Sequence, residues 1–348
     1  MSSPAAPVAS FQEAEARARA NADAAREVRQ HLEQTEGGVD GFLQRVRIAP
    51  IAPPGGAELR DFHAVLAEGI LPYQLVPIGD FVDAIGVMND NTLFQQALGP
   101  YRYVCLAART DADGTIGVAG LIVFCHHDGP ATLHASYYAI SPAFRSIGLG
   151  RRLLNAAADI AMRFVATARP AAWTAGPLVH FIETSSYPDM TLAERLADEA
   201  IALHPLVRDE MWERIGFREI RSAGYHQRAT PPAPLVLKAL LIEPVFRRMI
   251  PPTSIDVDLV RRHVTAFDAV LMNSEAASEA LARGHAPPRP EPAGLLAWLP
   301  PGAVLPVVSP EDAARDRCHW RALDASLRTA EQLRLGTTLR ALGHAQLH

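Results

Sequence analysis

Hydrophobic positions along this chain switch between strand-like and helix-like spacing, and the clearest switch lies between residues 133 and 164. The apolar run Leu133 to Ile140 predicts a strand, and Ser141-Pro142 predicts a turn after it. From Leu149 to Phe164, apolar residues recur at intervals of three and four, which predicts a helix with one buried face. The segment Arg145 to Gly150 therefore lies at a strand-to-helix junction.

The same analysis predicts alternating helices and strands on both sides of this junction. Strands are predicted at 42–51, 101–109, 116–125, 178–184, 217–227 and 233–242, and helices at 10–36, 58–68, 81–98, 191–203, 205–215, 255–271 and 309–342. We expect a mixed α/β (α+β) fold whose mostly antiparallel central sheet is flanked by helices, with helical extensions at both ends.

These elements predict three regions: residues 1–41, 42–243 and 244–348. The first contains an Ala/Pro/Ser-rich start, expected to be disordered, and a helix with a thin alanine-rich stripe. That helix could pack on a second subunit of a homodimer or lie on its own domain, and its weak stripe favours the second alternative. The last region is predicted to be a helical extension.

Composition excludes several classes of partner. The formal net charge of −5 argues against nucleic acid or an anionic membrane as the main partner. No apolar run reaches the length of a membrane span, and no export signal is recognisable. The three cysteines are scattered, which favours a reducing compartment, so we expect a cytoplasmic protein.

The strand-to-helix junction has the properties of an anion-binding site. Gly148 and Gly150 lack Cβ atoms, so a ligand can approach the backbone closely there. The first turn of the helix also leaves N–H groups without intrahelical acceptors at the positive end of the helix dipole. The sequence therefore predicts a phosphate cradle, although it matches neither the P-loop nor the dinucleotide-binding pattern.

The pattern Arg-x-x-Gly-x-Gly, read at Arg145, Gly148 and Gly150, resembles the acyl-CoA pyrophosphate motif of the GNAT (GCN5-related N-acetyltransferase) superfamily. The order of elements across residues 42–243 is also similar to that family, with the segment 186–204 as an insertion. The resemblance implies the GNAT fold and acetyl-CoA, or another acyl-CoA, as co-substrate.

The resemblance also implies a set of cofactor-binding residues. The backbones of Tyr138 and Ile140 would bond pantetheine at the strand edge. The pyrophosphate would be held by Arg145, Ser146, Ile147, Gly148, Leu149, Gly150 and Arg151.

The chain departs from the family pattern at the positions of the catalytic acid and base. Histone-type members have a glutamate eleven residues before the motif, where this chain has His134, and Glu183 on the next strand is a second candidate base. Either residue could instead be structural. The family's Tyr-x-x-x-Gly-Phe acid is replaced by Trp212, which cannot release a proton. The remaining candidate acids are Tyr137, Tyr138, Tyr187 and Tyr225, of which we take Tyr138 as the catalytic candidate. Alternatively, solvent protonates the thiolate, as in some members of the family.

The sequence thus predicts an enzyme that transfers an acetyl group to an amine, most simply that of a small molecule, without a metal. Cys125-His126-His127-Asp128 is not expected to bind a metal, because adjacent strand residues point to opposite faces. Two alternatives stay open. The chain could use an acyl carrier protein, a long acyl-CoA or a protein lysine, or it could be a non-catalytic acyl-CoA-binding module.

Overall fold

The computed structural model describes most of the chain, which divides into two compact units, Met1–Val307 and Val308–His348. The residues described are 11–51, 56–70, 74–89, 92–170, 176–185, 187–201, 204–221, 226–227, 233–243, 248–271, 283, 285 and 295–345.

Helices and strands alternate along the first unit, and a single long helix forms most of the second. The helices are α1 Phe11–Glu33, α2 Gly38–Arg45, α3 Ala57–Ala67, α4 Ile78–Asp83, α5 Thr92–Leu98, α6 Leu149–Ala168, α7 Leu192–Ile201, α8 Pro205–Ile215, α9 Val257–Leu271, α10 Leu295–Trp298 and α11 Pro310–Ala345. The strands are β1 Arg47–Pro50, β2 Tyr101–Thr110, β3 Gly114–Phe124, β4 Thr132–Ile140, β5 Leu178–Ser185, β6 Arg218–Glu219, β7 His226–Gln227, β8 Ala233–Glu243, β9 Arg248–Ile250, β10 Ser254–Asp256 and β11 Val304–Pro306.

One central sheet organises the first unit. Its strand order is β1-β2-β3-β4-β5-β8-β6, and β7 and β9 also pair with β8. The β4–β5 pairing is parallel, whereas the other pairings of this sheet are antiparallel. The predicted mixed α/β fold with a mostly antiparallel sheet and flanking helices is therefore confirmed.

Both faces of the sheet are covered, and each face has its own apolar core. On one face α6 buries Leu153 and Ala157 against the sheet. On the other face α3 and α9 bury Phe62 and Phe267. The apolar spacing in the sequence thus correctly predicted the buried face of α6. This buried face holds the Gly148–Gly150 junction against the sheet.

Helix α1 lies on its own unit. Ala14 is fully buried and packs with Leu196 and Ala200 of α7, and Leu32 joins the core on the α6 face of the sheet. This is the arrangement that the sequence favoured for the N-terminal helix. A homodimer stays a prediction.

The strand predicted at 42–51 is wrong over its first half. Helix α2 occupies Gly38–Arg45, and only Arg47–Pro50 pairs as a strand. Val39, Phe42, Leu43 and Val46 all pack in the core on the α6 face of the sheet, and their intervals of three and four residues are those of a helical face rather than of an alternating strand. The apolar character of the segment was recognised, but its period was misread.

Two other predicted elements are shorter than expected. The helix predicted at 81–98 is divided into α4, a π-helical turn at Ala84–Met88, and α5. The strand predicted at 217–227 is described only as Arg218–Glu219 and His226–Gln227, since residues 222–225 lie outside the described part. No helix of the described part is long and apolar enough to cross a membrane.

Replacing Leu153 by alanine tests the anchoring of α6. Leu153 is fully buried, so Leu153→Ala should lower the free energy of unfolding by about 2–5 kcal/mol through lost apolar contacts and a cavity. Val207→Ala is the control, because Val207 is 48% exposed and its truncation should cost within about 0.5 kcal/mol. Urea denaturation followed by circular dichroism measures both, and equal stability of the two variants would contradict the packing.

Candidate active site

The centre of the candidate site is the point where β4 and β5 separate. Their parallel pairing runs from Thr132 with Val179 to Ala135 with Ile182 and stops there. Next to this point β4 has a bulge, because Ala135 pairs with Leu121 and Tyr137 with Gly120, which leaves Ser136 between them. In the described part of the chain no strand pairs with the last residues of β4 on the side that β5 leaves, so an edge opens there.

The loop after β4 brings backbone N–H groups to the end of this edge. Gly148 is the N-cap of α6 with a φ of 91°, and Ser146 also has a positive φ, of 65°. The first helical hydrogen bond at this end runs from Arg152 N–H to the Gly148 carbonyl oxygen. The N–H groups of the preceding residues, Leu149 to Arg151, are therefore free of intrahelical acceptors and lie at the positive end of the helix dipole.

Tyr138 is packed tightly against this first turn. Its hydroxyl donates to the Gly150 carbonyl oxygen, and its ring meets the Trp212 ring edge-on at 5.4 Å. A Cβ atom at position 150 would lie 2.9 Å from the Tyr138 hydroxyl oxygen, so only glycine fits there without a shift. Burial raises the pKa of Tyr138 far above its ordinary value. These contacts favour a role for Tyr138 in shaping the cavity.

Arg145 lies at the end of the open β4 edge, and its guanidinium is partly buried. Its Nε donates to the Ile140 carbonyl oxygen at 3.1 Å. Burial lowers the pKa of Arg145, and the nearby carboxylate of Glu68 acts in the opposite direction. The guanidinium still carries a charge at neutral pH. A cation with so little water around it attracts an anion more strongly than an exposed one.

Helix α8 forms one wall of the cavity, which the sequence analysis did not predict. Arg208, Met211, Trp212 and Ile215 line the cavity from this helix. Their spacing of three and four residues puts them on one helical face, and that signal was available in the sequence. Arg208 is held by an ion pair from its Nη1 to Asp198 Oδ2 of α7 at 2.7 Å. Burial raises the pKa of Asp198, and Arg208 opposes this shift.

These features enclose one cavity of about 390 Å³. Most of the predicted cofactor-binding residues line it, namely Tyr138, Ile140, Arg145, Ser146, Gly148, Gly150 and Arg151. Ile147 and Leu149 are buried in the core beneath the loop, so only their backbone could contact a ligand. The residues present fit an acyl-CoA: open backbone donors and arginines for phosphate oxygens, and a strand edge for an amide-containing arm.

His134 does not line this cavity. It projects to the other face of the sheet, where its ring stacks on Phe267 of α9 at a centroid distance of 3.7 Å. Its Nδ1 lies 2.9 Å from His263 Nε2, and the side chain is fully buried. Burial lowers the pKa of His134 well below its usual range, so the ring is neutral.

Glu183 lies one residue past the last β5 residue that pairs with β4. Strand alternation puts it on the same face as Phe181, which stacks on His263 of α9. Its carboxylate is close enough to raise the pKa of Tyr137, although burial is the larger cause of that shift, which brings the pKa to about 12. His134 and Glu183 thus share the face opposite the cavity, on either side of the strand separation.

The Cys125–Asp128 segment follows β3, and its two histidines lie in different surroundings. Among the residues that the structure describes, no group of three or more histidine, cysteine, aspartate or glutamate side chains is arranged to hold a metal ion. His126 is buried and its Nε2 lies 2.8 Å from Thr132 Oγ1, whereas His127 is exposed.

Comparison with known proteins identifies the family of the region around the cavity. Residues 83–175 match the acetyltransferase (GNAT) family. This segment runs from the end of α4 past α6, so it contains β4 and the Arg145–Arg151 loop. No curated protein sequence matches the chain.

Solved structures with low sequence identity also match over part of the chain. The ribosomal-protein-S18-alanine N-acetyltransferase from Escherichia coli is 15% identical and has a TM-score of 0.34, with 57% of this chain and 94% of that chain covered. An acetyltransferase from Bacillus subtilis in complex with CoA is 13% identical with a TM-score of 0.30, covering 56% of this chain and 97% of that chain.

The family match to residues 83–175 covers the strand, the loop and the helix on which the cavity is built. The part of the chain that builds the cavity is therefore a region of the acetyltransferase (GNAT) family, residues 83–175.

Proposed function

We propose that this protein transfers an acetyl group from acetyl-CoA to the amine of a small molecule by direct attack. The observation that supports this most strongly is the junction of three features in one cavity: the free edge of β4, the open N–H groups of α6 and the arginines beside them. Acetyl-CoA would supply the acetyl group as a thioester.

The chain's own residues have separate tasks in this proposal. The N–H groups of the Ser146–Arg151 loop, with Arg145 and Arg151, bind the pyrophosphate. The free edge of β4 at Tyr138 and Ile140 orients the pantetheine arm, and Trp212 of α8 excludes water from the other side. Binding energy from these remote groups holds the thioester at the strand separation.

The amine must lose a proton before or as it attacks, because an ammonium group has no lone pair. We place the acceptor on the face opposite the cavity, where His134 and Glu183 lie on either side of the strand separation. Both residues are candidates for the group that takes this proton. The separation of the strands would let an amine on this face reach a thioester bound on the other.

Calorimetric titration with acetyl-CoA, octanoyl-CoA and free CoA, followed by a thiol-release assay with amines, tests the function. We expect acetyl-CoA to bind with a Kd on the order of 1–100 μM. The amine panel is tyramine, spermidine, kanamycin and a lysine-containing peptide. Selective turnover of the peptide would favour a protein acceptor. Binding of acetyl-CoA without turnover of any amine would favour a non-catalytic module.

Replacing Gly150 by leucine should weaken acetyl-CoA binding without unfolding the protein. The new side chain would collide with the Tyr138 hydroxyl and cover the N–H groups of the first turn of α6. We expect acetyl-CoA to bind at least about tenfold more weakly, which corresponds to about 1.4 kcal/mol.

The matched control is Gly79→Leu. Gly79 also lies in the first turn of a helix, and a Cβ atom there meets nothing within 4 Å. Calorimetry on both variants, with circular dichroism to verify folding, measures the difference. Unchanged binding in a folded Gly150→Leu variant would contradict the cradle.

Replacing Tyr138 by phenylalanine tests whether this residue is the acid. Its hydroxyl is bonded to the Gly150 carbonyl oxygen and its pKa is raised by burial, so it is poorly suited to release a proton. We expect Tyr138→Phe to weaken acetyl-CoA binding while leaving kcat within about threefold, since a true acid would cost about 10²-fold or more. Steady-state kinetics with the best amine of the panel would show a large loss of kcat if Tyr138 does donate the proton.

A further inference from the structure

Behind His134, three more polar side chains form a continuous hydrogen-bonded line through the interior. They are His263 on α9, Thr132 at the start of β4 and His126 just after β3. His134 Nδ1 lies 2.9 Å from His263 Nε2, and His263 Nδ1 lies 2.9 Å from Thr132 Oγ1. Thr132 Oγ1 in turn lies 2.8 Å from His126 Nε2. We call these four residues the histidine line.

Every member of the histidine line can donate and accept a hydrogen bond at the same time. A neutral imidazole has one N–H and one bare nitrogen, and a hydroxyl has one proton and free lone pairs. The three hydrogen bonds can therefore run in either direction along the line. Reversing them moves one proton from one end to the other without moving any heavy atom.

Aromatic rings surround the middle of the histidine line. Phe267 stacks on His134, Phe181 stacks on His263 at 4.2 Å, and Phe124 meets His263 edge-on at 5.9 Å. All three histidines are buried. Burial lowers the pKa of His134 and of His263 well below the usual range, and with help from Arg262 and Arg169 it lowers the pKa of His126 to about 3. The line therefore holds neutral rings at neutral pH.

The two ends of the line differ from its middle. At one end, His134 Nε2 is buried and has no hydrogen-bond partner among the residues that the structure describes. His134 pairs with Phe181 one position before the last β4–β5 pair, so this end lies at the strand separation. At the other end, His126 is followed directly by the exposed His127. A purely structural network would be expected to pair its buried nitrogens, since an unpaired one costs free energy.

We propose that His263, Thr132 and His126 form a proton relay behind His134, which takes the proton released by the attacking amine. The inference rests on the proposed function and makes it more specific, because it selects His134 over Glu183 as the proton acceptor.

The proton transfers balance in both directions. As the amine nitrogen bonds to the thioester carbon, its proton goes to His134 Nε2 and the Nδ1 proton of His134 passes to His263 Nε2. The Nδ1 proton of His263 passes to Thr132, and the Thr132 hydroxyl proton passes to His126 Nε2. Because His126 already carries a proton on Nδ1 in this arrangement, it becomes a transient imidazolium until the transfers reverse. When the carbon–sulfur bond breaks, the electron pair stays on sulfur. The transfers along the line then reverse, and His134 returns one proton to the thiolate. No separate acid is therefore needed at Trp212, which replaces the family's tyrosine.

Thr132→Val and Thr132→Ser are the discriminating pair of variants. Valine keeps the size and shape of Thr132 but breaks the line between His263 and His126, whereas serine keeps the hydroxyl. We expect Thr132→Val to lower kcat about 10–100-fold, within the range of acid–base contributions, with the KM for acetyl-CoA unchanged. Thr132→Ser should stay within about threefold of the wild type. Thermal unfolding of both variants verifies that the fold is kept.

Rates in mixtures of H₂O and D₂O give a second measurement that a structural role would not change. The wild type should show a curved dependence on the deuterium fraction, because several protons move together, and Thr132→Val should show a linear one. Wild-type kcat and an unchanged isotope dependence in Thr132→Val would overturn the relay. A linear dependence in the wild type itself would also overturn it.

Histidine ¹⁵N NMR of the wild-type protein provides a test that does not depend on activity. At neutral pH each ring of the line should be neutral with one protonated nitrogen, and a charged ring would overturn the relay, since it donates from both nitrogens. Failure of the proposed function has a different signature: no acetyl-CoA binding and no thiol release by the wild type. The kinetic experiments use acetyl-CoA with the most active amine of the panel named above.

Discussion

The separation of β5 from β4 after Ala135 and Ile182 is the constraint on which the rest of the site depends. A parallel pair that stayed together to the end of β4 would satisfy every backbone group along the edge, and nothing could bind there. The bulge at Ser136 coincides with the separation and also changes which side chains face which way. Before it, Leu133 and Ala135 face α6, and after it Tyr138 and Ile140 do. One extra residue therefore brings Tyr138 into the cavity and leaves His134 on the opposite face.

The electrostatics of the cavity follow from where its cations are anchored. Arg145 is bonded to the strand through the Ile140 carbonyl oxygen, and Arg208 is bonded to a buried aspartate of α7. Neither guanidinium is on a freely moving side chain, and both line the cavity together with the positive end of α6. Anion binding here would not require these groups to be ordered first, which is the usual entropic cost of using long basic side chains.

The opposite face follows a different principle. Helix α9, which belongs to the region that sequence analysis treated as an extension, covers His134 and contributes His263 to the same hydrogen-bonded line. Burial lowers the pKa of both rings well below the usual range, so both are neutral at neutral pH. Helix α9 belongs to the same compact unit as the central sheet, so it is part of the unit in which the proposed chemistry takes place.

The sequence alone determined those features that depend on neighbours along the chain. The apolar spacing from Leu149 to Phe164, the Ser141-Pro142 turn and the two glycines predicted α6 and the cradle, because helix periodicity and glycine's freedom are local properties. The same local reasoning failed at Gly38–Arg45, where a short apolar stretch fits two periods and only packing selects one. Tertiary structure decided the contacts between residues that are distant in sequence, which local spacing cannot specify. It placed one face of α8 on the cavity, turned Tyr138 onto Gly150, and brought His263 to His134 across 129 residues of sequence. Contacts of that kind produce no periodic pattern in the sequence, because they depend on which surfaces of the folded chain pack together.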